Sequence, residues 1–143
     1  MTEFQTDIHI DAPPDVVWAV IRDVERWPEW TPTVTSLRLQ TPGTLTLGNS
    51  AFIRQPKLPP AKWWVTEIDD RARSFTWVSA GVGVQVTARH SAQSSGAGTR
   101  AKLSLQFTGM LASLAGKFLG GLNDHYLALE AKGLKERSER LKS

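Results

Sequence analysis

Few side chains in this sequence have the type and spacing needed for catalysis. His125 and Tyr126 are adjacent in the last third of the chain, and either could hydrogen-bond a ligand or transfer a proton. The alternative is that both serve only the structure. The other histidines are expected at the surface, because His9 lies on the polar face of the first strand and His90 lies near the end of a later strand, beside a flexible loop. His125 and Tyr126 are therefore the candidate catalytic residues, with no reaction assigned to them.

The sequence lacks the motifs for metal, nucleotide and thiol chemistry. The sequence contains three histidines without metal-ligand spacing and no cysteine, and no HExxH, GxSxG or phosphate-binding glycine loop is present. Asp69 and Asp70 are adjacent, but they lie at a predicted turn, where aspartate has an ordinary structural role. We therefore expect no metal and no other cofactor.

Length and charge predict one soluble domain. The 143 residues fit a single domain, 1–143, that can bury a core or enclose a small cavity. The net charge of +3 is small and lies largely in a mixed-sign C-terminal tail, which does not indicate nucleic-acid binding. The N-terminus does not resemble a signal peptide, and no apolar run approaches the about 18 residues that span a bilayer. We expect a cytoplasmic protein without stable membrane insertion.

The last third of the chain predicts one long amphipathic helix, from residue 110 to about residue 140. At about 100° per residue, an apolar band covers one face of this helix and must be buried against another element. The band consists of Leu111, Leu114, Ala115, Phe118, Leu122, Tyr126 and Leu129, with His125 at its edge. The pair Gly120-Gly121 within this helix is predicted either to permit a close contact or to act as a hinge.

The preceding residues alternate polar and apolar types over short segments, as strands do. The first strand covers about residues 3–10 and is followed by a short helix that ends near Asp23 and by a proline-flanked segment with Trp27 and Trp30. Six further strands are expected at 33–40, 50–56, 62–69, 74–80, 82–93 and 99–108. The predicted fold is α+β: a seven-stranded curved antiparallel sheet wrapped around the C-terminal helix, with two short helices between strands 1 and 2.

The alternation also predicts which strand residues face the helix. In the last two strands these are Val82, Val84, Val86, Ala88, His90, Ala101, Leu103, Leu105 and Phe107. Phe75, Trp77 and one of Trp63 and Trp64 are expected to join them, whereas Trp18 is expected in the core. The set either fills a core or lines a cavity, and the modest size of the valines and alanines favours a cavity.

Two segments near the N-terminus carry a more specific signature, IDAPPDVVW at residues 10–18 and DVERWPEW at residues 23–30. Together with the order of elements along the whole chain, they resemble the polyketide cyclase/dehydrase and lipid-transport branch of the START-like (SRPBCC) superfamily, which also includes the major birch pollen allergen family. The resemblance implies a helix-grip fold with an internal cavity, since members include aromatase/cyclases and carriers of apolar molecules. The cyclases tend to carry an arginine on the strand at 62–69, and this sequence has none between Trp63 and Asp69.

These observations predict the binding of a small hydrophobic or aromatic ligand, lipid- or polyketide-like, between sheet and helix. One alternative is a polyketide cyclase/dehydrase-type enzyme in which His125 or Tyr126 moves the proton. Another is a homodimeric interaction module, with the row Leu119, Leu127 and Leu134 exposed on the outer side of the helix. The expected ligand-binding residues are Trp27, Trp30, Trp63, Phe75, Trp77, Val84, Val86, Phe107, Phe118, Leu122, His125, Tyr126 and Leu129.

Overall fold

A computed structural model describes residues 2–142, except for the side chain of Phe118. The strands are β1 (Thr2–Ile10), β2 (Ser36–Leu39), β3 (Ser50–Arg54), β4 (Ala61–Asp69), β5 (Ser74–Gly81), β6 (Val84–Ser95) and β7 (Gly98–Thr108). The helices are α1 (Pro14–Arg22), a 3₁₀ helix (Val24–Glu29) and α2 (Ala112–Leu141). The short helices lie between β1 and β2, as predicted.

The strands form one antiparallel sheet in the order β1-β7-β6-β5-β4-β3-β2, so β1 and β2 are its edges. The ladder between β6 and β7 is the longest, and α2 packs against β1, β7 and β6 on the inner face. This architecture is the α+β helix-grip fold that the sequence predicted. None of the described helices is both long and apolar enough to cross a bilayer.

Two strands begin later than the alternation predicts. Val82 lies in the turn between β5 and β6 and is 93% exposed, because the following Gly83 adopts a φ of 72° and reverses the chain. β2 begins at Ser36. The residues before it form a loop in which the buried hydroxyl groups of Thr31 and Thr33 hydrogen-bond each other at 2.9 Å.

The face of α2 that meets the sheet is not the predicted one. Leu111 and Leu114 are 46% and 51% exposed, although the apolar band placed them inside. The buried residues of α2 instead form a different stripe: Ala112, Gly116, Asn123, Leu127, Ala131, Gly133, Leu134 and Ser138. Because Leu127 and Leu134 are buried, the row that suggested a dimer surface is not exposed.

Close approach of α2 to neighbouring elements at two glycines explains this rotation of the helix. A Cβ atom added at Gly116 would lie 2.7 Å from Cγ2 of Thr2 on β1, and one at Gly133 would collide with the carbonyl oxygen of Trp30. Only small residues fit such contacts. The face is therefore chosen by the size of its residues, whereas a helical wheel ranks faces by hydrophobicity alone.

The core is densely packed beneath α1. Val17, Trp18 and Ile21 are buried there, and the Trp18 ring lies against Phe75 with ring centroids 6.4 Å apart. The indole nitrogen of Trp18 donates a hydrogen bond to Oδ1 of Asp70 at 2.9 Å. Trp18 is therefore a core residue, as predicted, and Asp70 has a structural role at its turn.

Candidate ligand cavity

A cavity of about 240 Å³ lies between the inner face of the sheet and the middle of α2. Strands β3 to β7, the 3₁₀ helix and the loop between β3 and β4 supply its other walls. Sites for small molecules typically have volumes of about 300 to 1,000 Å³. The cavity lies just below this range and therefore suits a small ligand of a few rings or a chain of similar size.

Indole rings form one wall of the cavity. Trp27 and Trp77 are 3% and 2% exposed, and their ring centroids are 5.4 Å apart. Trp63 continues the wall, 6.0 Å from Trp77. The Trp27 ring is held in place because its nitrogen donates to the carbonyl oxygen of Ile21 at 3.0 Å. This wall offers flat, polarisable surfaces to an apolar or aromatic ligand.

One of the two adjacent tryptophans of β4 faces the cavity, and the other faces outward. Trp63 lines the cavity, whereas Trp64 is 42% exposed and carries Lys62 over its ring at 5.2 Å. The register of β4 with β5 shifts between Val65 and Glu67, beyond the tryptophan pair. Sequence alternation left the choice between the two tryptophans open, and Trp63 is the inner one.

His90 is buried in this wall, and the prediction that it is exposed is wrong. Its ring stacks on Phe75 with centroids 4.5 Å apart and planes at 7°, and the Trp27 ring lies 5.1 Å away. Burial lowers the pKa of His90 to about 3, so the ring is neutral at physiological pH. Its Nδ1 atom is buried and has no hydrogen-bond partner among the described residues.

Glu130 on α2 lines the opposite side of the cavity and is half-buried. Burial raises its pKa from the ordinary 4.5 to about 7, and a hydrogen bond with Thr33 counteracts part of this effect. In that contact the hydroxyl of Thr33 donates to Oε1 at 3.5 Å, while the Thr31 and Thr33 hydroxyls pair behind it. Near neutral pH the carboxyl is therefore divided between its acid and carboxylate forms.

Asn123 also faces the cavity from α2, seven residues before Glu130. Two helical turns separate the residues, a distance of about 10 Å along the helix axis. Asn123 is 6% exposed, and its side-chain nitrogen has no partner among the described residues. An unpartnered buried amide is costly, which makes this group a natural partner for a polar atom of a ligand.

Tyr126 connects α2 to the loop between β3 and β4. Its hydroxyl donates a hydrogen bond to the carbonyl oxygen of Pro56, and Leu58 and Pro59 of the same loop line the cavity. The loop is thereby fastened to the helix at the edge of the cavity. Tyr126 is thus both a lining residue and a link between the two walls.

Comparison with protein families assigns the chain to one of them. The family model described as polyketide cyclase/dehydrase and lipid transport matches residues 1–139. The chain belongs to this family. Among curated proteins, sequence comparison finds no match.

Solved structures share the fold over nearly the whole chain. A Thermus thermophilus protein is 22% identical, with a TM-score of 0.79 over 99% of this chain and 100% of its own. The Zhui aromatase/cyclase from Streptomyces is 15% identical, with a TM-score of 0.79 over 97% and 94% of the two chains. Norcoclaurine synthase from Thalictrum flavum is 16% identical, with a TM-score of 0.78 over 99% and 88%. At these identities the similarity shows the fold alone.

In this member of the polyketide cyclase/dehydrase and lipid-transport family, the structure brings part of the predicted site together. The predicted residues that line the cavity are Trp27, Trp63, Trp77, Val86, Phe107 and Tyr126. The structure therefore brings two tryptophan-bearing segments and parts of β6 and β7 to the cavity. The Phe118 side chain lies outside the described residues.

The predicted placement in the cavity is corrected at six positions. Those that do not line it are Trp30, Phe75, Val84, Leu122, His125 and Leu129. His125 is exposed, and with Leu122 and Leu129 it was assigned from the wrong face of α2. Phe75 is 1% exposed in the core behind the His90 ring, and Trp30 packs on the Trp27 ring at 5.7 Å.

Among the polar residues that line the cavity, Tyr126 was predicted from the sequence, Asn123 and Glu130 were missed, and His90 was expected at the surface. Asn123 and Glu130 interrupt a helical row that continues through Leu127 to Leu134, with spacings of four, three and four residues. Polar residues at such spacing within an apolar row are the available sequence signal. The signal for His90 was its place in the inward-facing alternation of β6.

Proposed function

We propose that this protein binds a small apolar or aromatic molecule, lipid- or polyketide-like, in the cavity between the sheet and α2. The indole wall, opposite a helix whose described lining residues include the polar side chains of Asn123 and Glu130, carries this proposal. Such sites combine mainly apolar surface for affinity with a few polar groups for orientation. Asn123 and Glu130 are the proposed anchors, one for an acceptor atom of the ligand and one for a donor.

The fold neighbours support the same class of ligand. Norcoclaurine synthase was solved in complex with dopamine and hydroxybenzaldehyde, which are both small aromatic molecules. The Zhui protein is an aromatase/cyclase by its description. A cytoplasmic location and a homodimer stay predictions made from the sequence.

A neutral, environment-sensitive dye tests the binding proposal. N-phenylnaphthylamine should bind saturably and quench part of the tryptophan fluorescence, because Trp27, Trp63 and Trp77 line the cavity. Val86→Trp should remove binding by filling the space. Val84→Trp is the matched control, since Val84 is also half-buried on β6 but does not line the cavity. If both variants fold and both bind the dye as the parent does, the ligand site is not this cavity.

An enzyme of the cyclase or dehydratase type is a second candidate, and Glu130 is the observation that favours it. General acid–base groups act best when their pKa lies near the working pH, and the pKa of Glu130 is about 7. Its carboxylate could take a proton from a carbon between two ketones. After the new carbon–carbon bond forms, the resulting acid could protonate the alkoxide oxygen to a hydroxyl group. The carboxylate could then take a second proton from the same carbon and pass it to that hydroxyl, which leaves as water. His125 is exposed and remote from such a role.

Turnover of a linear poly-β-ketone mimic tests this second function. Glu130→Gln should abolish cyclisation while dye binding persists, and activity of the parent should follow the ionisation of a single group near pH 7. Tyr126→Phe is the control that keeps the Glu130 carboxyl group and removes the hydroxyl that hydrogen-bonds the Pro56 carbonyl oxygen. Equal rates for the parent and Glu130→Gln would exclude the carboxyl as the acid–base group.

A further inference from the structure

Glu130 is the one acidic side chain among the described residues that line the cavity, and no lysine or arginine lines it. Its hydrogen-bond partner is neutral, the Thr33 hydroxyl. The other titratable groups facing the cavity are His90 on β6 and Tyr126 on α2. The described lining residues of β3, β4, β5, β7, the 3₁₀ helix and the β3–β4 loop carry no charge. A carboxylate here has no cation beside it.

The surroundings of the Glu130 carboxylate agree with the absence of a cation beside it. Burial is the main cause of the raised pKa of Glu130, and no nearby charge contributes to it. Arg137, two turns further along α2, is already paired with Glu29 at 2.8 Å. A ligand that brings its own positive charge would therefore supply the partner that the protein does not.

The rest of the cavity suits an aromatic group attached to that charge. The faces of Trp27, Trp63 and Trp77 offer stacking surface, and indole faces also attract cations. Building on the ligand-binding function proposed above, we infer that the cavity selects a small aromatic amine in its protonated form. Its ammonium group binds the Glu130 carboxylate, and aromatic carboxylates of the same size are rejected.

Binding by charge makes the affinity depend on pH. With a pKa of about 7 for Glu130, the ionised fraction rises about tenfold between pH 6 and pH 8. An alkylamine, with a pKa of about 10, stays protonated over this range. The affinity for an amine therefore rises about tenfold, and the affinity for a carboxylate falls. His90 is neutral throughout, because its pKa is about 3.

Three probes with the same ring separate charge from shape: tryptamine, ethylindole and indolepropionate. Calorimetric titration of the parent protein at pH 8 should give tryptamine at least about tenfold tighter than ethylindole, with indolepropionate the weakest. Glu130→Gln should bring the three affinities within about threefold of one another and remove the pH dependence. Asp124→Asn is the matched control, because it removes an exposed carboxylate from the same helix and should change nothing.

The outcomes distinguish this inference from the function on which it rests. If ethylindole binds the parent but tryptamine is no tighter, or if Glu130→Gln keeps the preference for the amine, the amine assignment is overturned and the ligand cavity stands. If none of the three probes and no dye binds the parent, the ligand-binding function falls and the inference with it. A preference lost equally in Asp124→Asn would mean that only net charge was measured, which also overturns the assignment.

Discussion

The two halves of α2 are packed in opposite ways. In the C-terminal half, Ala131, Leu134 and Ser138 are 3%, 0% and 0% exposed against the rest of the fold. In the N-terminal half, Leu114 is 51% exposed, and Leu119 faces the cavity. The C-terminal half is therefore held by packed protein along its last turns, whereas the N-terminal half meets β1 at Gly116 and then roofs the cavity, which extends along α2 as far as Glu130.

Hydrogen bonds to other elements reinforce the C-terminal half. Lys135 donates to the carbonyl oxygen of His9 at 3.2 Å, and Glu139 accepts from the backbone of Asp11 at 2.8 Å. The N-terminal half contains Gly120 and Gly121, and a Cβ atom added at Gly121 would meet nothing within 4 Å. The comparison shows that α2 is anchored at its C-terminal end, and we expect it to be more compliant above the cavity.

The largest effect is expected where the anchored half is tightest. Gly133→Ala places a methyl group against the Trp30 carbonyl oxygen, which is backbone and cannot rotate away. Overpacking of this kind should lower the free energy of unfolding by about 3 kcal/mol. Urea denaturation measures the loss. Gly121→Ala is the matched control on the same helix, and equal midpoints for the two variants would refute the contrast between the halves.

A smaller effect is expected at the cavity, from Glu130. Below pH 4.5 both the folded and the unfolded chain hold this proton, so the group does not change stability. Between pH 4.5 and about 7 the unfolded chain releases it first, so stability falls as pH rises and the full loss is present above pH 7. Because the side chain is only half-buried, solvent screening reduces the effect below that of the full pKa shift. Glu130→Gln should therefore raise the free energy of unfolding by about 2 kcal/mol at pH 8 and by nothing at pH 4.

The contribution of His90 to stability changes with pH in the opposite direction, so it must be separated from the contribution of Glu130. The unfolded chain takes up a proton at this residue below pH 6.5, whereas the folded chain does so only near pH 3, so stability falls as pH falls through this window. The two slopes oppose each other between pH 4.5 and 6.5. At each pH, the difference in free energy of unfolding between Glu130→Gln and the parent cancels the contribution of His90. What remains is the contribution of Glu130. A difference that is independent of pH would contradict its raised pKa.

The sequence was sufficient for the fold because period and turn chemistry are local signals. The alternation of β6 and β7, the break around Gly96 and the length of α2 each follow from neighbouring residues. The family signature at residues 10–18 and 23–30 agreed with the order of elements that these local signals predicted. Local signals of this kind survive in the structure with ends shifted by a few residues.

The cavity was less predictable, because its position depends on contacts between distant segments. The buried face of α2 was decided by the closeness of Gly116 to β1 and of Gly133 to Trp30. A helical wheel contains no information about such contacts. His90 was expected beside a flexible loop, yet β6 runs on to Ser95 and pairs there with Gly98. His90 consequently lies within the ladder, opposite Leu103, and not at the end of its strand.

The smallest effect concerns the glycine pair in the compliant half. The structure separates the two readings of the sequence, because Gly121 has no close neighbour and a Cβ atom at Gly120 would lie at an ordinary 3.6 Å from the Phe4 ring. Close contact is therefore not the reason for the pair, and the hinge stays a prediction. Replacing both residues with alanine should raise the free energy of unfolding by about 1 kcal/mol, since each glycine in a helix interior costs about 0.5 to 1 kcal/mol.

A hinge adds a kinetic consequence to that gain in stability. Stiffening the roof should slow both entry and exit of N-phenylnaphthylamine in stopped-flow mixing, with little change in affinity because neither glycine lines the cavity. Gly133→Ala, which acts on the anchored half, should lower stability without slowing exchange. If the double alanine variant is more stable and exchanges the dye as fast as the parent, the hinge is wrong, and ligands enter by another route. The next test would then be Tyr126→Phe. This substitution removes the hydrogen bond to Pro56 and so releases the loop between β3 and β4 from α2.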